Sequence, residues 1–225
     1  FGRTLAVSAT IFLSLSWPAV YYSQEVRGYI LVSLFCIISS IYFAKINKQL
    51  SQGQDRVSNW YWMLFWSVLS SMTHPFGLLL TGFQFVYLFL TNITRRTVML
   101  RALVLGLILG AIYGIWTYFN VLFGLDWLIG NNNMFEAPNW WFFVDIGAFL
   151  FHHPMAGGII AGGILLLGGK SYYFRFLECL KNRNWTEPEI YAPIMLAAPF
   201  AIAFIISQFQ PLMYTRYLIV FLPYI

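Results

Sequence analysis

The chain of 225 residues is 60% hydrophobic and only 9% charged, against roughly 45–50% and about 25% in soluble domains. That balance excludes an ordinary soluble domain and points to a membrane protein. A formal net charge of +5 would suggest nucleic acid in a soluble chain; here the informative question is where along the chain the positives fall, and no nucleic-acid partner is expected.

The chain begins at Phe1 without a Met and stops at Ile225 inside an apolar run, so it reads as a piece of something longer. Arg3 followed by an apolar stretch imitates a signal peptide. It lacks a small-residue cleavage pattern, however, and further spans follow, so it reads as a transmembrane helix. Crossing the hydrocarbon core takes about 20 apolar residues. Eight stretches qualify, some short and the last truncated: Thr4 to Tyr22, Tyr29 to Ala44, Trp60 to Met72, Phe76 to Leu90, Val98 to Phe119, Met155 to Gly169, Ile190 to Ser207, and Tyr217 onward. The expected fold class is therefore all-α: one polytopic transmembrane domain over residues 1–225, incomplete at both ends.

Positive charge orients this bundle. If every span crosses, Arg3, Lys45, Lys48, Arg56, Arg95, Arg96, Arg101, Lys170, Arg175, Lys181 and Arg183 fall on one side, leaving Arg27 and Arg216 on the other. Such a bias makes the first side cytoplasmic. The outer face then receives Ser23 to Gly28, the His74-Pro75 break, the connection from Asn120 to His153, and Gln208 to Arg216. The long connection carries Trp140-Trp141-Phe142-Phe143, which reads as an interfacial aromatic segment. The cytoplasmic connections Gln49 to Asn59 and Lys170 to Glu189 have the mixed polarity of solvated loops. Two glycosylation sequons, at Asn92 and Asn184, fall on that side and should be unmodified.

Chemistry concentrates outside. In the polar island Ser23 to Tyr29, Arg27 beside Glu25 can grip a phosphate, since a guanidinium offers paired donors; alternatively it snorkels to headgroups or pairs with Glu25. Arg216, followed by Tyr217, repeats the pattern with the same two readings. His74 precedes Pro75, which biases it away from helix and marks a tight turn; it serves either as a ligand or donor to substrate or as a packed, satisfied residue. His152-His153 cannot share one helical face, which weakens a metal site there. Asp126, Glu136 and Asp145 read as solvated loop charges. Cys36 and Cys179 suggest neither a disulfide framework nor a metal knuckle. The paired glycines at 157–158, 162–163 and 168–169 suit close helix packing.

Three stretches carry a resemblance: Phe-Gly-Arg at the start with Ser-Gln-Glu-Val-Arg-Gly-Tyr at 23–29, Thr73-His74-Pro75-Phe76-Gly77, and Pro211 to Pro223 containing Arg216-Tyr217-Leu218. In order and spacing they resemble the bacterial family 39 glycosyltransferases of the GT-C fold, relatives of protein mannosyltransferases and of the aminoarabinose transferase acting on lipid A. The resemblance implies a membrane enzyme, in a bacterial inner membrane with its active site facing outward. It would move a sugar from a polyprenyl-phosphate donor, with inversion, to a hydroxyl of a protein, lipid or glycan acceptor. It implies a substrate-binding set of Gln24, Glu25, Arg27, Tyr29, His74, Arg216 and Tyr217, with the catalytic base upstream of this chain. It implies no cofactor with certainty and leaves open a divalent cation that Glu25 would help hold. The competing expectation is a transporter or flippase for a lipid-linked or anionic substrate, although the span interiors lack the midplane charges and repeated halves common in transporters.

Overall fold

The computed structural model describes residues 28–122 and 172–209, together with positions 138, 139, 141, 145 and 169. Regular structure among them is helical. Helix α1 is Tyr29–Ser51, α2 Val57–Thr73, α3 Pro75–Thr91 and α4 Arg96–Leu122. A short helix α5 covers 172–181, and α6 is Pro188–Phe209. The expected second, third, fourth, fifth and seventh spans fall on α1, α2, α3, α4 and α6. The first and eighth lie outside the described residues, as does the sixth apart from Gly169.

Three helical segments are long and apolar enough to cross a membrane, Tyr29–Ser51, Arg96–Asn120 and Pro188–Gln208, which is compatible with an integral membrane protein. Helices α2 and α3 have 17 residues each, short of the ~20 that a perpendicular span needs. Their shortness has a local cause, because Pro75 ends the run that α2 would otherwise continue.

Short connections make α1 to α4 an up-and-down bundle, with the broadest contacts between α1 and α2, then α3 with α4 and α2 with α3; α6 meets it along α3. The two halves of the bundle are filled differently. One half is an apolar core of Phe43, Ile46, Leu50, Trp60, Met63, Phe85, Leu88, Leu105 and Met195. Towards the other end the buried positions include Ser33, Ser39, Ser67, Ser70, Ser71, Thr81 and Gln84.

Charge follows the same division. Every described Lys and Arg (Lys45, Lys48, Arg56, Arg95, Arg96, Arg101, Arg175, Lys181 and Arg183) lies at the end holding the apolar core. There the 52–56 turn is tied down by Asp55, which accepts from Trp60 Nε1 at 2.9 Å and pairs with Arg101. Arg95 donates to the Leu50 carbonyl at 2.8 Å, closing the ends of α1 and α4 over the core.

The expected solvated connection from Lys170 to Glu189 is largely exposed where it is described, and its residues 172–181 form helix α5. It is anchored through a consequence of Pro193. Proline has no N–H to give the carbonyl four residues back, and that carbonyl, of Glu189, instead accepts the Tyr172 hydroxyl at 2.8 Å. Arg175 pairs with the Glu189 carboxylate at 3.2 Å. On the far side of the loop, the Tyr87 hydroxyl donates to the Trp185 carbonyl at 2.5 Å.

Candidate functional site

At the end of the bundle away from the described cations, α2 stops at Thr73 and α3 starts at Pro75, with His74 alone between them. Pro75 denies His74 the helical region, and His74 is extended, at φ −158° and ψ 139°. Proline at the first helical position wastes no hydrogen bond. His74 is the N-cap of α3, its Nδ1 accepting the backbone N–H of Phe76 at 3.2 Å. Acceptance at Nδ1 leaves Nε2 to carry the ring proton, which makes Nε2 the donor of this imidazole.

Tyr29 comes to the same corner from α1. Its ring centroid lies 5.7 Å from that of His74, and the Phe76 ring is also 5.7 Å from His74. Gly28 suits the close approach here, since a Cβ would stand 3.1 Å from Thr73 Cγ2 and that side chain would have to give way slightly. Two of the expected site residues, Tyr29 from α1 and His74 from the α2–α3 junction, thus share one corner. Gln24, Glu25, Arg27, Arg216 and Tyr217 lie outside the described residues.

Below the corner runs a polar seam that sequence reasoning did not single out. Cys36 Sγ and Ser70 Oγ are 3.0 Å apart, as are the hydroxyls of Ser39 and Ser67. Ser39 donates to Gln84 Oε1 at 2.8 Å, and Gln84 Nε2 donates to Ser40 Oγ at 3.0 Å. Ser67 also donates to the Met63 carbonyl at 2.7 Å, so two hydroxyl protons, on Ser39 and Ser67, serve three contacts. The available signal was spacing: Ser33, Cys36 and Ser40 on α1, and Ser67 with Ser70 on α2, recur every three or four residues and so share a face.

Beside the corner opens an apolar groove of 420 Å³, lined by Pro75, Phe76, Leu79 and Phe83 of α3, Tyr113 of α4, and Ala203 and Ile206 of α6. A polar corner and an apolar groove therefore adjoin, joined by the consecutive residues His74, Pro75 and Phe76. At the end of α6, Gln208 Nε2 donates to the Pro138 carbonyl at 3.0 Å, bringing the long connection to this end. Within that connection Trp141 is 73% exposed. Among the described residues no cluster of three or more His, Cys, Asp or Glu could hold a metal ion. His74, an expected substrate or metal contact, is here placed as a helix cap with Nε2 as its donor.

Comparison with protein-family models, with curated proteins and with solved structures finds no match.

Proposed function

We propose that this chain belongs to a membrane glycosyltransferase of the GT-C type. It transfers a sugar from a polyprenyl phosphate to an acceptor hydroxyl at the non-cytoplasmic face, with inversion. In this reading about eight segments cross a bacterial inner membrane, and the end holding the described cations is cytoplasmic. The observation that carries the reading is the junction at His74 to Phe76, where a corner with a ring N–H donor meets a groove whose described lining is uncharged. A lipid-linked sugar has that same division into polar head and apolar tail.

The residues divide the work accordingly. Arg27 and Arg216 hold the lipid phosphate and balance the charge that develops on it as the glycosidic bond breaks. Glu25 orients Arg27 or shares a divalent cation, with Gln24 and Tyr217 beside the sugar. His74 donates from Nε2, and Tyr29 fixes the imidazole plane. The groove takes the first part of the isoprenoid.

The test follows release of polyprenyl phosphate from purified polyprenyl-phosphate sugars by the protein in nanodiscs, with a membrane extract as acceptor source. Arg27→Ala is expected to abolish release. His74→Asn, which keeps a good N-cap residue and removes Nε2, should lower kcat/KM by about tenfold or more, the scale of a lost transition-state hydrogen bond. Near-normal turnover by Arg27→Ala sinks the phosphate role. Donor binding without release, across a broad panel of sugars and extracts, moves the assignment to transport.

A further inference from the structure

Helix α5 turns an apolar face outward. Tyr173, Leu177 and Leu180 stand at i, i+4 and i+7, a single stripe at the helical period. They are 56%, 40% and 36% exposed, with Phe174 beside them at 58%. Arg175 and Glu178 lie away from that stripe. Two features hold the helix where an apolar span begins: the Tyr172 hydroxyl on the carbonyl that Pro193 vacates, and the Arg175–Glu189 pair.

The charges around α5 are arranged unevenly. Glu189 is paired with Arg175, and Glu187 accepts from the Asn184 side-chain amide at 3.2 Å. No carboxylate among the described residues pairs with Lys181 or Arg183. Arg183 also has an unusual backbone. The Arg183 N–H bonds to the Leu180 carbonyl and the Asn184 N–H to the Cys179 carbonyl, the Schellman pattern in which the next-to-last position is left-handed and usually glycine. Arg183 takes that position at φ 52°, so a cation is kept where glycine would be less strained.

We propose that α5 lies in the headgroup layer of an anionic leaflet. Its Tyr173–Leu177–Leu180 face rests at the acyl boundary, and Lys181 and Arg183 engage headgroup phosphates. An amphipathic helix with aromatic residues on one face and cations on its flank is suited to that depth, and cations that no described carboxylate pairs match an anionic surface. The inference is independent of glycosyl transfer, since none of its residues belongs to the donor corner.

The test places an environment-sensitive fluorophore on Leu177→Cys or Glu178→Cys in a Cys179→Ser background, Cys36 being fully buried. The protein is held as one copy per nanodisc of phosphatidylglycerol and phosphatidylcholine. The Leu177 probe should be quenched by spin-labelled lipid and protected from aqueous iodide, and the Glu178 probe the reverse. Equal iodide access at both sites overturns the proposal. So does protection at Leu177 that arises only with two copies per disc, which assigns the face to a second chain. For the headgroup contact, Lys181→Gln and Arg183→Gly should each weaken enrichment of phosphatidylglycerol around the protein by about fivefold, the scale expected per cation at an anionic surface, and the double variant should weaken it further. Arg183→Gly keeps the left-handed turn favourable, so unchanged enrichment in a folded variant overturns the cationic contact.

Discussion

Gly53 and Arg183 occupy the same position of the same motif. After α1, the Gly53 N–H bonds to the Leu50 carbonyl and the Gln54 N–H to the Gln49 carbonyl, with Gly53 at φ 72°. Left-handed backbone costs an L side chain roughly 1–2 kcal/mol. Gly53→Ala should therefore lower stability by about 1 kcal/mol although nothing lies within contact distance of the added methyl. Arg183→Gly should raise stability, by about 0.5–1 kcal/mol once the greater freedom of glycine in the unfolded chain is subtracted. Thermal unfolding of the detergent-solubilised variants checks both, and shifts of the same sign would contradict the shared motif. One turn earlier, the Cys179 thiol is held above the ordinary thiol range. Desolvation contributes most, followed by the carboxylates of Glu189, Glu187 and Glu178, with Arg175 acting in the opposite direction. Because the thiolate is the reactive form, a raised pKa means less of it at pH 8. Maleimide labelling there should be slower than for a free thiol and should climb as pH rises, and Glu187→Gln should speed it. A labelling rate at pH 8 equal to that of a free thiol would contradict the shift.

Helices α2 and α3 meet at a contact that only glycine permits. A Cβ on Gly77 would fall 2.4 Å from the Ser70 carbonyl oxygen and 2.7 Å from its carbonyl carbon, backbone atoms that no rotamer change can move. Gly77→Ala must push α3 off α2, which breaks the alignment of Gln84 with Ser39 and Ser40 further along. The expected loss is about 1–3 kcal/mol, the scale of overpacking in a well-filled core, read as a lower melting temperature. Gly82→Ala, with nothing within 4 Å of its added carbon, is the control and should be close to neutral. The turn at His74 is legible in the sequence because the constraint of Pro75 acts on its immediate neighbour. Ser70 against Gly77 is not legible, since it depends on how tightly two helices fold back on each other. Helix α5 escaped notice for another reason: Tyr173, Leu177 and Leu180 have helical spacing, but Arg175, Glu178 and Lys181 interleave with them over barely three turns. The anchor that selects the helix, Tyr172 on the Glu189 carbonyl, spans a loop.

At the scale of the whole molecule, apolar length and the placement of cations are legible from sequence because each is a sum over many residues. The five described spans expected from sequence all coincide with helices, and every described Lys and Arg gathers at one end. Among the described residues, the corner was legible through His74 and Tyr29, whose neighbours in sequence, a proline and a polar island, mark a helix boundary. The groove was not, because its walls come from α3, α4 and α6 and each wall alone is an ordinary apolar helix face. This division into a basic end and a corner with a groove makes the orientation testable without knowing the substrate. Gln54 sits in the turn at the basic end and Asn139 near the end of α6, and both are exposed. In a Cys179→Ser background, a membrane-impermeant maleimide added to intact spheroplasts should label Asn139→Cys at once and Gln54→Cys only after permeabilisation. The reverse pattern would put the basic end outside and turn the corner towards the cytoplasm, where the donor reading loses its outer-face acceptor. Labelling of both without permeabilisation would mean that α1 to α4 do not cross the bilayer as a unit. The protein would then have to bury the exposed faces of α4, Leu103, Leu107 and Ile115 among them, against something other than lipid.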